Sequence, residues 1–163
     1  MTQNDQYLKR DRMRYSKDSL SSNLVLLAIV FDVLYFVSIY KSDVGSYYYT
    51  WMIGASVVYN LLFLLTAFLS SQAVKNRKSG YGVTLLVLGV MQIVRIFYLP
   101  AKAHAANLEI GQDLLQVMDD RQYIYVVVCL SVSAVCCIVA AVTNYINNKQ
   151  LAEHMRQLKN KAA

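Results

Sequence analysis

Four polar side chains interrupt otherwise apolar stretches of this chain: Asp32, Asn60, Gln92 and Arg95. A carboxylate and a guanidinium carry opposite unit charges, and each amide offers both donors and an acceptor. In apolar surroundings such groups pair with one another, bind an ion or solute, or contact a partner, because each is costly to leave alone. An Asp32–Arg95 pair is the natural expectation, since pairing cancels the net charge and Asn60 and Gln92 can supply the remaining hydrogen bonds. Two readings compete with it. One is a proton, ion or solute site centred on Asp32, although a guanidinium beside the carboxyl works against proton exchange. The other is contact with a partner subunit. An Arg95 that snorkels outward to lipid headgroups would leave Asp32 alone.

The remaining reactive residue types form no recognisable centre. The histidines are His104 and His154, far apart in the chain. The cysteines are Cys129, Cys136 and Cys137, with no C-x-x-C pair, zinc spacing or disulfide framework. There is no G-x-S-x-G, H-E-x-x-H or phosphate-binding loop. We therefore expect no catalytic residues, no metal site, no cofactor and no enzymatic activity. Cys129, Ser133, Cys137 and Ala141 recur every four residues, which places small side chains on one face of a helix. Small faces let helices approach closely in lipid, either inside one bundle or against another protein. Gly82 and Gly89, seven residues apart, can serve the same purpose.

The elements that must position these residues are long apolar runs. The chain has 163 residues, 56% of them hydrophobic, with one proline and six glycines. Four runs, 20–40, 47–71, 81–99 and 122–146, each meet the length of about 20 residues that crosses a hydrocarbon core. None alternates with period two, which excludes a β-barrel reading. The expected fold class is an all-α membrane protein: a single membrane domain, 1–163, forming a four-transmembrane-helix bundle. The first apolar run exceeds a signal-peptide core and no small-residue cleavage site follows it, so it is expected to remain attached.

Charge sets the expected orientation. Of the 16 Lys and Arg residues, 12 lie in 1–19, in the 72–80 loop or in the 147–163 tail, and three (Lys41, Lys102, Arg121) lie on the opposite side. The positive-inside bias places both termini in the cytoplasm of a multi-pass cell-membrane protein. Tyr40, Tyr47, Tyr48, Tyr49, Trp51, Tyr98, Tyr123 and Tyr125 mark the outer boundary, and Tyr81 and Tyr145 the inner one. The net charge of +6 then reads as topology and contact with anionic headgroups rather than nucleic-acid binding.

At 1.5 Å per residue, Asp32 and Gln92 lie about 3 Å, and Arg95 about 7 Å, to the outer side of their span centres, with Asn60 near the middle of its own. Four polar groups on three helices thus share a layer. Helical spacing extends them into faces: Ala28, Asp32 and Tyr35; Ser56, Asn60 and Ala67; Leu88, Gln92, Arg95 and Tyr98.

The connections complete the expectations. The 41–46 and 72–80 loops are short and make successive spans antiparallel neighbours. The 100–121 segment begins at Pro100, expected to end the third span, and Asn107 is a candidate helix cap. Ile110, Leu114, Val117 and Met118 recur at helical spacing beside Glu109, Asp113, Asp119 and Asp120, which predicts a short amphipathic outer helix. Leu151, Met155 and Leu158 among basic residues predict a cytoplasmic helical extension of the fourth span. The leading functional expectation is a non-catalytic accessory subunit of a membrane complex, such as a transporter. The alternative is a small oligomeric transporter or channel around Asp32 and Arg95. Expected partners are membrane lipids and either other membrane subunits or further copies of the chain, with no nucleic acid.

Overall fold

The computed structural model describes residues 3–12, 16–40, 50–78, 80–105, 107–110 and 113–162. They form five helices and one hairpin: α1 (Gln3–Arg12), α2 (Ser19–Tyr40), α3 (Thr50–Lys75), α4 (Gly80–Ala105), β1 (Asn107–Ile110), β2 (Asp113–Gln116) and α5 (Asp120–Ala162). The last four helices are each long and apolar enough to cross a membrane. Helices satisfy every interior backbone group within the element, which is what a bilayer demands of a spanning segment. The expected 41–46 loop and the aromatic residues Tyr47, Tyr48 and Tyr49 lie outside the described residues.

Local chemistry explains the helix ends near the termini. α1 carries Asp5 in its first turn and Lys9, Arg10 and Arg12 towards its end, matching the helix dipole. Asp18 caps α2, its Oδ1 accepting from the Ser21 amide at 3.2 Å and its Oδ2 from the Ser21 hydroxyl at 2.9 Å. α3 ends in a Schellman turn. The Arg77 amide reaches the Val74 carbonyl at 2.8 Å and the Lys78 amide reaches Ala73 at 3.1 Å. Arg77 adopts φ of 57° there, a conformation more often given to glycine. Its guanidinium donates through Nε to the Ser16 carbonyl at 3.1 Å, which holds the turn against the strand of chain entering α2.

The segment 100–121 differs from its expectation. Pro100 does not end the third span. α4 continues through it to Ala105. Proline removes one backbone donor, but burial of Leu99, Pro100 and Ala103 favours continuing the helix. Beyond it stands an antiparallel hairpin in which Asn107 pairs with Gln116 and Ile110 with Asp113, not an amphipathic helix. Asn107 therefore opens a strand rather than capping a helix. Val117 and Met118 are buried as their apolar character requires, but by folding back from the hairpin onto α2, α4 and α5.

α5 runs without interruption to Ala162, so the apolar fourth span and its basic extension form one 43-residue helix. The face that this extension buries is centred on His154, fully buried against α1, while Met155 remains 45% exposed. The His154 ring meets the Tyr7 ring edge-on at 5.0 Å, and its Nε2 lies 3.4 Å from Asp11 Oδ1.

The bundle interior has two apolar clusters. One holds Val25, Ala28, Phe63, Ala67, Leu85, Cys137 and Ala140, towards the end that carries the termini. The other, towards the hairpin, holds Tyr35, Ile39, Leu99, Met118, Val126 and Leu130. On the outside, large apolar residues such as Leu61, Val83 and Phe97 are more than half exposed, as lipid-facing positions are.

α4 approaches α5 closely at its glycines. A Cβ added to Gly89 would stand 2.7 Å from Ile138 Cγ1 and 3.2 Å from the Ala134 carbonyl oxygen, and one on Gly82 would stand 3.2 Å from Asn144 Oδ1. Gly89→Ala therefore forces the two backbones apart and is expected to destabilise the fold by about 1–3 kcal/mol. Gly54→Ala, whose added methyl meets open space, is the matched control and leaves stability unchanged or raised. Unfolding of the purified chain in mixed detergent micelles measures both.

Candidate functional site: a polar layer inside the bundle

Between the two apolar clusters lies a single layer of hydrogen-bonded side chains. All four long helices contribute to it. α2 supplies Asp32 from the face it shares with Ala28 and Tyr35, all three fully buried. α3 supplies Asn60, 2% exposed, and α4 supplies Gln92 and Arg95, exposed 0% and 6%. α5 adds Ser133, fully buried on the small-residue face.

Arg95 is the hub. Its Nη1 donates to Asp32 Oδ1 at 2.8 Å, an ion pair, and its Nη2 donates to Asn60 Oδ1 at 2.8 Å. The guanidinium is flanked by two aromatic rings, with its Cζ 4.3 Å from the Tyr35 centroid and 4.9 Å from that of Tyr59. A planar cation satisfies both at once because its donors lie at its edge and its charge is felt through its face. Gln92 Nε2 donates to the same Asp32 oxygen at 2.9 Å and approaches Ser133 Oγ at 3.5 Å. Ser133 in turn donates to the Ala28 carbonyl at 3.0 Å. One chain of contacts therefore runs from α3 through α4 and α2 to α5. Asp32 Oδ2, Gln92 Oε1 and the Tyr59 hydroxyl are buried with no hydrogen-bond partner among the described residues.

The layer brings together all four polar residues singled out in the sequence, and the ion pair takes the expected form rather than Arg95 turning outward. The face of α4 is rotated from its expected setting. Leu88 is half-buried and Tyr98 is 46% exposed, while Gly82, Leu85, Gly89, Gln92 and Leu99 form the buried stripe. Cys129, Ser133, Cys137 and Ala141 are all buried within this bundle, and the three cysteines are free thiols. His104 and His154 stand apart from the layer. His104 stacks on Tyr123 at 4.3 Å, and His154 packs on α1. Among the described residues, no three His, Cys, Asp or Glu side chains gather as a metal site would require.

Two features escape the sequence reading. Asp18 is 4% exposed and ties three helices at the end that carries the termini. Besides capping α2, its amide donates to the Lys75 carbonyl at 3.0 Å and its Oδ2 accepts from Asn147 Nδ2 at 3.1 Å. The available signal is an Asp three residues before a serine at the start of an apolar run, the pattern of a helix cap. The second feature is a cavity of 340 Å³ between α3 and α4, lined by Ala55, Ser56, Tyr59, Met91, Val94, Arg95, Tyr98 and Leu99. Met91, Val94 and Tyr98 are also exposed on the bundle's flank, so the cavity opens sideways towards lipid.

The ion pair predicts strong thermodynamic coupling. Asp32→Asn or Arg95→Gln alone leaves an uncompensated buried charge and is expected to lower stability by about 3–5 kcal/mol. The double substitution removes both charges and is expected to cost clearly less than the sum of the two. A double-mutant cycle read by detergent unfolding checks this, and additive losses would contradict a direct pair. No family model, curated protein or solved structure matches this chain, so the functional reading rests on its own geometry.

Proposed function

We propose that this chain is a non-catalytic membrane subunit that associates with other membrane proteins, in a transporter complex or a similar assembly. The observation that supports the reading is the ion pair itself. Arg95 and Asp32 spend their charges on each other and on Asn60 and Gln92, so the interior charges hold helices together. Apolar clusters flank the layer on both sides, which disfavours a polar path along the bundle. A rigid bundle with broad apolar flanks offers surfaces for lipid and for neighbouring helices. Mild-detergent purification of the tagged full chain, followed by mass spectrometry, is expected to recover specific membrane partners in stoichiometric amounts. Recovery of a pure homo-oligomer would overturn the reading.

The alternative, a small oligomeric transporter or channel, draws support from the cavity that reaches Arg95 from the side. Solute movement into proteoliposomes that disappears on Asp32→Asn, in protein that stays folded, would displace the first reading. Failure of the wild-type chain to move the solutes offered counts against the second.

The charge distribution supports a cell-membrane orientation with both termini in the cytoplasm. The basic residues Lys9, Arg10, Arg12, Lys75, Lys78, Lys149, Arg156 and Lys159 all flank the same end of the bundle, where they suit anionic headgroups. A fluorescent protein fused after Ala163 is expected to fluoresce, and alkaline phosphatase fused there to be inactive. The reverse pattern would invert the topology.

A further inference from the structure

The basic end of the bundle carries an arginine in an unusual place. Arg77 stands just past the end of α3 with φ of 57°, a conformation that glycine adopts freely and that strains a residue with a Cβ. There its guanidinium lies against the chain entering α2. Nε donates to the Ser16 carbonyl at 3.1 Å, and Nη2 donates to the Ser16 hydroxyl at 3.4 Å. That hydroxyl accepts from Arg77 and keeps its own proton for another acceptor. Ser16 is exposed and Arg77 half-buried, and their chain neighbours Lys17 and Lys78 are exposed. The carboxylate next in the chain, Asp18, is 4% exposed and turned to Ser21 and Asn147. Three cations and a free hydroxyl proton thus gather at one turn, with the adjacent acid held inside.

We infer that this turn binds the phosphate of an anionic phospholipid, through Arg77 Nη2, the Ser16 hydroxyl, Lys17 and Lys78. Phosphate offers several acceptor oxygens, which suit a guanidinium edge and a hydroxyl at fixed positions and two ammonium groups on flexible stems. Depth selects a lipid over a soluble phosphate. Ser16 and Lys17 lie four and three residues before Leu20, and Arg77 and Lys78 four and three before Tyr81, where apolar runs begin. Four residues of helical rise are about 6 Å, and the polar zone beside a hydrocarbon core is about 5–7 Å thick. Charge selects an anionic head. Lys17, Arg77 and Lys78 outnumber Asp18, so a bound phosphodiester leaves the turn near balance. A zwitterionic head carries its own cation and gains less. The site is independent of the subunit reading, because it needs only a leaflet at the end that carries the termini. It turns the general attraction of that end for anionic headgroups into one defined contact.

The test titrates the purified full chain in detergent with dioleoyl phosphatidylglycerol or dioleoyl phosphatidylcholine and follows the first bound lipid by native mass spectrometry. Phosphatidylglycerol is expected to bind about tenfold more tightly, with an advantage that shrinks as salt rises. Arg77→Gly gives the turn the residue that its φ suits, so the fold is expected to persist while phosphatidylglycerol affinity falls about tenfold, the loss of one hydrogen bond to a charged group. Lys17→Gln combined with Lys78→Gln alters only exposed side chains, is expected to cost a similar factor, and carries the test independently. Lys102→Gln, at the opposite end of the bundle, is expected to change nothing. Free sn-glycerol 3-phosphate at the same concentration is expected not to displace the lipid. Equal affinity for the two lipids, unchanged affinity in Arg77→Gly or in the lysine pair, an equal loss in Lys102→Gln, or displacement by glycerol 3-phosphate would each overturn the assignment. Because no partner protein enters the experiment, its failure leaves the pull-down result untouched.

Discussion

A single guanidinium, held in a medium that cannot hydrate it, determines the arrangement of the bundle. Arg95 directs one nitrogen to Asp32 on α2 and another to Asn60 on α3, with an aromatic ring at 4.3 Å and a second at 4.9 Å. Each of these contacts is directional, and each comes from a different rotation angle of its helix. Turning α2 by one residue would carry Asp32 away by about 100° and strand both charges. Apolar packing alone is more forgiving, because leucine and valine faces tolerate small rotations in lipid. The charged layer therefore supplies the rotational specificity, while the apolar clusters supply most of the contact area.

That layer works only if the helices stand close enough for short side chains to bridge them. Asn60 and Ser133 have little reach, so α3 and α5 must approach their neighbours closely. On the α5 side the approach is set by Gly89 lying against Ala134, Cys137 and Ile138, and by Ser133 bonding to a backbone carbonyl of α2. Towards the termini, Ser22 and Ser71 share a hydroxyl contact at 2.9 Å that fastens α2 to α3, and Asp18 joins α2, α3 and α5. Towards the hairpin, Gln122 donates to the Ser38 carbonyl at 2.9 Å. Polar fasteners thus sit at both ends and in the middle, with apolar packing between them. They hold α2 and α5 at all three levels and α3 at two of them.

The polar layer was readable in the sequence because a charge inside an apolar run is costly, and because a constant helical rise converts residue number into depth. The helical rise alone puts Asp32, Asn60, Gln92 and Arg95 at one level. It could not set the rotation of α4, because 3.6 residues per turn let either Tyr98 or Leu99 continue the stripe, and only packing against Tyr35 and Ile39 decides between them. The hairpin was misread for a related reason. Ile110, Leu114, Val117 and Met118 fit a helical period, and strands of four residues are too short to show alternation against it. Pro100 misled because its local cost is evident in the sequence, whereas the burial that outweighs it is tertiary. The roles of Asp18 and of the buried His154 are not legible in the sequence, because an acid at a cap and a histidine in a basic tail are ordinary surface residues until their partners on other helices are known.

The layer is also asymmetric. On the α5 side it is closed by Gln92, Ser133 and the small-residue face. On the α3 side it stops at a cavity whose wall includes Arg95 itself. Met91, Val94 and Tyr98 beside that cavity are exposed on the flank of the bundle, so it opens laterally between α3 and α4. The same geometry explains why α3, bound to the core through Asn60, Phe63, Ala67 and the Ser71 contact, shows its gap at the segment 55–59, one turn beyond its last polar anchor. The cavity is then a consequence of the network: Asn60 draws α3 inward at one level, and the small residues Ala55 and Ser56 leave the next turn towards the hairpin unfilled.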